Sequence, residues 1–293
     1  MAERAKQRGD SPDGWEEGAA VVPLTVAGVD ELRISWWSPL GRPEIARYAR
    51  RFPDLVWRVR GERDFVIGGL WRGRPEIGLL VYLSANRHRA PLLARLLESF
   101  RQRGVRAVIL SDSEVGERLK WYLENGWRLF EEIVVYERPH CRPIGVKTGE
   151  LEITPFRMEE LDKLMAVDRA AFPWLWWNDR EDFQTYVSAG DVSCYVAKLG
   201  QEMVGYVSFT VHDRQGHLDR IAVLPGFQGH GYGTELLSVA IDSMASAGAR
   251  KVSLTTQINN RRSQALYEKY GFRRARGSQR LYGVWLNSRR TGT

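Results

Sequence analysis

Apolar residues recur at helical spacing over residues 90–104, where Leu92, Leu93, Leu96 and Leu97 share one face. They do so again over 234–248, through Leu236, Leu237, Ala240, Ile241 and Met244. Each stretch ends in Gly and leads into a strand-like run, Arg106-Ala107-Val108-Ile109-Leu110 in one case and Arg250-Lys251-Val252-Ser253-Leu254 in the other. A second helix follows in both halves. One closes as Tyr122-Leu123-Glu124-Asn125-Gly126-Trp127, the other as Tyr267-Glu268-Lys269-Tyr270-Gly271-Phe272. In both, Gly stands where a helix end asks for a left-handed residue, and an aromatic opens the next strand. The shared order predicts an internal duplication with a period of roughly 140 residues.

The Pro-rich stretch from Arg138 to Gly145 lacks periodicity and reads as a linker. It divides the chain into a domain over 19–140, a linker over 141–149 and a domain over 150–293, with residues 1–18 as a disordered tail. The second domain reads as strand 151–153, helix 159–170, an aromatic loop at 172–177, helix 179–189, and strands at 193–198, 204–211 and 217–223. Strands alternating with helices give an α/β or α+β sheet domain.

Composition changes this picture little. The chain has 43% hydrophobic residues, which suits packed cores in both halves and excludes wholesale disorder. The net charge of +7 would suit acidic partners, but the Arg residues are scattered, so nucleic acid is not an expected partner. Cys141 and Cys194 fit no metal spacing, and free thiols in a reducing cytoplasm are expected. No metal and no membrane partner are expected.

The chemistry concentrates at Ile221-Ala222-Val223-Leu224-Pro225-Gly226-Phe227-Gln228-Gly229-His230-Gly231-Tyr232-Gly233-Thr234, between a strand and a helix. Three alternating glycines let a turn wrap a diphosphate and aim successive N–H groups inward. The helix that follows adds its positive end. No Lys-Ser or Lys-Thr closes the turn, which excludes a Walker-type loop. Thr255-Thr256-Gln257 stands where a dinucleotide fold needs an acid.

This run, followed by Asn260 and by Ala265-Leu266-Tyr267-Glu268-Lys269-Tyr270-Gly271-Phe272, resembles the GCN5-related N-acetyltransferase (GNAT) family over roughly residues 150–287. The resemblance implies two tandem domains of this kind, each a mixed, mostly antiparallel sheet flanked by helices. It implies an N-acetyltransferase in which acetyl-CoA lies where two neighbouring strands diverge. Ile221, Ala222 and Val223 would face the pantetheine. The amides of Gln228, Gly229, His230, Gly231, Tyr232, Gly233 and Thr234 would surround the diphosphate. A primary amine, on a small molecule or a peptide N-terminus, would attack the thioester directly.

Tyr267 matches the family's proton donor to the departing thiolate, and a phenol stays protonated at neutral pH. Asn260 matches a residue that contacts the cofactor, and it equally suits a helix N-cap. The base is left open between His217 and Asp219, two residues apart on one strand face. Thr255 stands where some relatives carry a Glu. Trp174, Trp176 and Trp177 are candidates for an aromatic acceptor entrance, or for packing between the halves, with Trp36 and Trp37 as first-half counterparts.

In the first half, Arg87 and Arg89 align with Gly231 and Gly233, so that copy is expected to be degenerate and to complete the acceptor cleft. One active site is expected, in a monomer or homodimer. The layout is similar to that of mycothiol synthases, and a non-catalytic acetyl-CoA sensor is the alternative reading.

Overall fold

The computed structural model describes residues 20–32, 34, 40–84, 87–111, 118–147 and 149–286; the expected tail over 1–18 and the Trp36-Trp37 pair lie outside them. The chain divides into two compact units. One comprises Met1–Gly69, Gly78–Val108 and Leu286–Thr293, the other Leu70–Ile77 and Ile109–Trp285.

In the first unit, β1 (Val21–Pro23), β2 (Val56–Val59), β3 (Phe65–Leu70) and β4 (Ile77–Leu83) lie side by side in that order. Helices α1 (Arg42–Arg51) and α2 (Arg89–Gln102) accompany them. At the start of α1 the Gly41 amide donates to Glu44 Oε2 at 3.0 Å, while Arg50 and Arg51 sit in its last turn, a charge order that suits the helix dipole. Leu24, Ile45, Val56, Phe65 and Ile67 form a core here. Arg89 opens α2 as its first residue, and Leu92, Leu93 and Leu96 are buried as the periodicity predicts. Strand β5 (Ala107–Ser111) carries the chain out of this unit.

The second unit holds α3 (Leu119–Glu124), β6 (Arg128–Arg138), β7 (Glu152–Pro155), α4 (Leu161–Ala171), α5 (Arg180–Val187), β8 (Val192–Leu199), β9 (Glu202–His212) and β10 (Gln215–Val223). Beyond these come α6 (Tyr232–Ser246), β11 (Lys251–Gln257), α7 (Arg261–Lys269) and β12 (Arg273–Trp285). Its strands run β12-β6-β11-β10-β9-β8-β7, with β10 and β11 parallel and antiparallel pairing at β6, β7, β8 and β9. This is the mixed α/β architecture expected. Strand β9 is buried from Met203 to Phe209 because the sheet is covered on both sides. Val204 and Val207 belong to a core with Leu236, Leu237 and Ile241 of α6. Met203 and Tyr206 pack with Leu161, Leu164 and Phe183 of α4 and α5. Each such aliphatic side chain contributes about 1.5–3 kcal/mol on burial.

The units do not follow the expected boundary. β6 lies before the expected linker in sequence, yet it fills the gap between β11 and β12. Hydrogen-bonding edges on both sides of β6 are thereby used, by strands that follow residues 141–149 in sequence. The expected linker is itself tied down. Cys141 N donates to Arg250 O at 2.7 Å, Ile144 N to Asp242 Oδ1 at 2.7 Å and Val146 N to Ser238 Oγ at 2.9 Å. No helix among the described residues is long and apolar enough to cross a membrane.

Candidate active site

Strands β10 and β11 pair only from Gln215↔Lys251 to Leu218↔Leu254. Beyond Leu218, β10 runs on along β9 to Val223, while β11 turns to β6 as far as Gln257↔Ile133. The two parallel strands therefore splay. A register shift between Leu218 and Arg220 marks a bulge on β10, and bulges bend a strand in this way. Main-chain groups of residues 220–223 that face β11 are left without a strand partner.

A cavity of about 130 Å³ fills the opening. Its wall includes Asp219, Arg220, Ile221, Thr255, Asn260 and Tyr267. The split thus brings together residues that the sequence placed on three separate elements.

The glycine turn follows the end of β10 and leads into α6. Gly229 has φ 98° and Gly231, the N-cap of α6, has φ 89°, so both need a residue without a Cβ. Gly233 is different. It lies inside the helix, and an added Cβ would meet Leu266 Cδ2 at 3.8 Å and Val223 Cγ2 at 3.9 Å, which is ordinary contact. Neither backbone strain nor internal packing requires glycine there. A Cβ at 233 would point between the end of β10 and α7. Among the described residues no carbonyl accepts from the N–H groups of 229–233. The Thr234 N–H, by contrast, donates to Gly231 O at 2.9 Å. Gln228 is also turned to internal work, donating through Nε2 to Val223 O at 2.9 Å. The His230 ring stacks on Tyr232 at 5.6 Å, and the Tyr232 hydroxyl donates to Glu150 Oε2 at 2.5 Å. Ala222 faces the α4 core, so only its main chain reaches the split.

Tyr267 is buried on α7 beside Tyr136 and Phe272. Burial pushes its hydroxyl up to about 12, and the Ser263 hydroxyl pulls the other way. Asn260 caps the same helix, accepting from Ser263 N at 3.3 Å, and also lines the cavity.

Asp219 and His217 do share a face, with His217 Nε2 3.9 Å from Asp219 Oδ1. His217 Nδ1 lies 2.9 Å from Ser253 Oγ, and this side chain is not part of the cavity wall. Asp219 is. Its carboxyl lies above the ordinary carboxylate range because burial outweighs the hydrogen bond it accepts from Tyr186. That hydroxyl sits 2.9 Å from Asp219 Oδ2 and 2.8 Å from Ser208 Oγ.

Of the three loop tryptophans, Trp176 lines the cavity. Trp174 instead stacks on Trp285 at 5.6 Å, and the Trp177 indole N–H donates to Phe172 O at 2.7 Å.

Several site residues carry no sequence signal. Arg220 and Asp168 form a buried ion pair at 2.6 Å. Burial works against the Arg220 charge, but Tyr206 and Asp168 outweigh it. Arg220 also donates to Trp176 O at 3.1 Å and lies 4.0 Å from the Phe172 ring centroid. Arg262 donates to Gln228 Oε1 at 2.5 Å and stands beside Gly229. Its place two residues after the N-cap was the one clue available. Arg72 enters the cavity wall from the stretch between β3 and β4.

The family model described as acetyltransferase (GNAT) family matches residues 154–272. The spore coat polysaccharide biosynthesis protein SpsD of Bacillus subtilis (strain 168) is 37% identical over 90 residues, 31% of this chain and 31% of that protein. N-alpha-acetyltransferase 30 of Homo sapiens is 33% identical over 99 residues, 32% of this chain and 26% of that protein. The match therefore spans less than a third of either relative. A solved tandem GNAT protein from the clavulanic acid biosynthesis pathway superposes with a TM-score of 0.57 at 15% identity, over 91% of this chain and 98% of that one. At that identity the likeness is one of fold.

Proposed function

With a domain of the GNAT acetyltransferase family occupying residues 154–272 of this chain, we propose that the protein moves the acetyl group of acetyl-CoA to a primary amine, at one active site in the second unit. One observation carries the reading: a strand split bordered by a glycine turn with free N–H groups, with a buried tyrosine hydroxyl in its wall. The N–H groups of 229–233 and the positive end of α6 suit a diphosphate. Arg262 adds a full charge beside them. Gly233 fits this use, since its missing side chain is explained by nothing inside the protein. The main-chain groups of Ile221 and Val223 that lack a strand partner on the β11 side suit the amide-bearing pantetheine arm.

The amine nitrogen attacks the thioester carbon; a C–N bond forms and the C–S bond breaks. Tyr267, held protonated by burial, gives its proton to the leaving sulfur. Asp219 is the better placed of the two candidate bases to take the proton lost by nitrogen, because it lines the cavity and His217 does not. The base and acid come from different strands and helices, so the fold supplies orientation as well as proton transfer.

The test is release of free thiol from acetyl-CoA with an amine panel, alongside thermal shift with acetyl-CoA alone. Binding together with thiol release dependent on amine is the expected result. A shift without thiol release would mark a sensor, and no shift at all would remove the cofactor assignment. The two relatives' names, one an N-alpha-acetyltransferase and one a polysaccharide biosynthesis protein, point to different acceptors. Acceptor choice has to be read from the cavity itself.

A further inference from the structure

The reaction proposed above leaves one cation of the cavity without a task. Arg72 lies 106 positions before Asn178, the residue its side chain touches. Its backbone is left-handed, with φ 54° and ψ 37°, a conformation that an Arg seldom adopts. Neighbouring bonds hold it there. The Trp71 indole N–H donates to Leu175 O at 2.7 Å, and Asp179 N donates to Arg72 O at 3.0 Å. Such strain persists where the surroundings enforce it, and it gathers at functional sites.

The guanidinium uses Nε alone, donating to Asn178 Oδ1 at 2.9 Å, and lies 5.7 Å from the Trp176 ring centroid. Its Nη1 and Nη2 fork meets no carboxylate among the described residues. Asp168 is taken by Arg220, and Asp219 by Tyr186. A solvent-facing Arg would need no partner. Arg72 is half-buried, and burial together with the charge of Arg220 lowers it to about 10. Beside it, the Nδ2 donor of Asn178 is buried and also without a partner. Arg72 is the one of the two that lines the cavity, and the unused fork of its half-buried guanidinium suits an acceptor of hydrogen bonds that carries negative charge.

We propose that the acceptor is a small zwitterion, an amino acid whose carboxylate is gripped by Arg72 while its amine is turned towards Asp219. This rests on the acetyltransferase reading of the same cavity. The charges on its wall fit. Arg72, Arg220 and Asp219 line it and Asp168 pairs with Arg220 from behind, so the site is neutral overall but has a positive and a negative group. An ammonium with a carboxylate keeps that balance. A phosphate of charge near −2 leaves negative charge in surplus. The cavity is small, about 130 Å³, which suits a compact acceptor. A peptide N-terminus offers the amine but no adjacent carboxylate.

The experiment compares acids with their amides: glycine with glycinamide, β-alanine with β-alaninamide, and 4-aminobutyrate with its amide. Phosphoethanolamine forms a further arm. Thiol release is normalised to the free-amine fraction, and each compound is also titrated calorimetrically onto protein loaded with CoA, which reads acceptor binding without chemistry. The best acid is expected to exceed its amide about ten- to a hundredfold in kcat/KM, the scale of a hydrogen-bonded charge. Arg72→Asn, which suits the left-handed backbone, should bring that ratio to within about twofold, mainly through KM, and leave the acetyl-CoA thermal shift intact. Arg72→Lys should restore part of it. Amides used as well as acids, equal losses for both twins in R72N, preference for phosphoethanolamine, or no twin binding the CoA-loaded protein would each overturn the proposal. Acids that bind there without thiol release would leave the carboxylate site standing and remove the acetyltransferase reading.

Discussion

Replacing Gly233 by Ala separates the protein's own needs from those of its ligand. The new Cβ would sit 3.8 Å from Leu266 Cδ2 and 3.9 Å from Val223 Cγ2, so nothing in the protein has to move. The residue is already helical, and exchanging Gly for Ala in a helix gains about 0.5–1 kcal/mol, less in a first turn. A gain of about 0.5 kcal/mol raises Tm by about 1–2 °C in a domain of this size. On the proposed function the same Cβ would stand where a diphosphate approaches the main chain of the turn. For a Kd of about 10 µM, 1 mM acetyl-CoA stabilises the fold by about 2.7 kcal/mol; at a Kd of about 1 mM the gain falls to about 0.4 kcal/mol. Differential scanning fluorimetry with and without 1 mM acetyl-CoA reads both numbers. The expected pattern is a protein slightly more stable alone and nearly blind to the ligand. A G233A protein that keeps the full ligand shift would refute the assignment of this turn. Gly231→Ala makes a poorer test, because φ is 89° there and the substitution strains the fold by about 1–2 kcal/mol by itself.

Tyr267→Phe should keep the acetyl-CoA shift and lower kcat about 10²- to 10⁴-fold in steady-state thiol release. With its hydroxyl at about 12, wild type should show no alkaline loss of kcat from this group below about pH 11. Asp219 has a folded pKa above its unfolded value, so its contribution to stability is present at low pH and is lost as pH rises through the raised value. Asp219→Asn should therefore raise Tm at pH 8 relative to wild type, with a smaller gain at pH 4, while slowing acetyl transfer; a lower Tm at pH 8 would contradict the burial argument. Asp168→Asn leaves Arg220 buried without its counter-charge and should cost about 3–5 kcal/mol in urea denaturation.

The residues proposed to hold the cofactor and to protonate the thiolate were readable in the chain because their local geometry is set within one turn. Gly229 and Gly231 are demanded by backbone angles within one turn, Asn260 by the first turn of one helix, and Tyr267 by its place one turn before Gly271. The helices were equally legible, since α2 and α6 bury the faces their periodicity marks. What periodicity does not encode is the partner of an exposed edge. Nothing in Arg128–Arg138 says that this strand belongs between β11 and β12, because a strand's hydrogen bonds come from the main chain and are the same for any neighbour. The compact units therefore had to be found in three dimensions. The charges of the cavity follow the same rule. Arg72 reaches it across 106 residues, Asp168 meets Arg220 across 52, and Arg262 finds Gln228 across 34. Sequence determined where the backbone takes left-handed angles around Gly229 and Gly231 and which tyrosine sits one turn before the helix-ending glycine. Only the folding of distant segments onto one another decided which charges share a buried space, since burial and separation, which set the strength of an electrostatic interaction, are properties of the packed molecule.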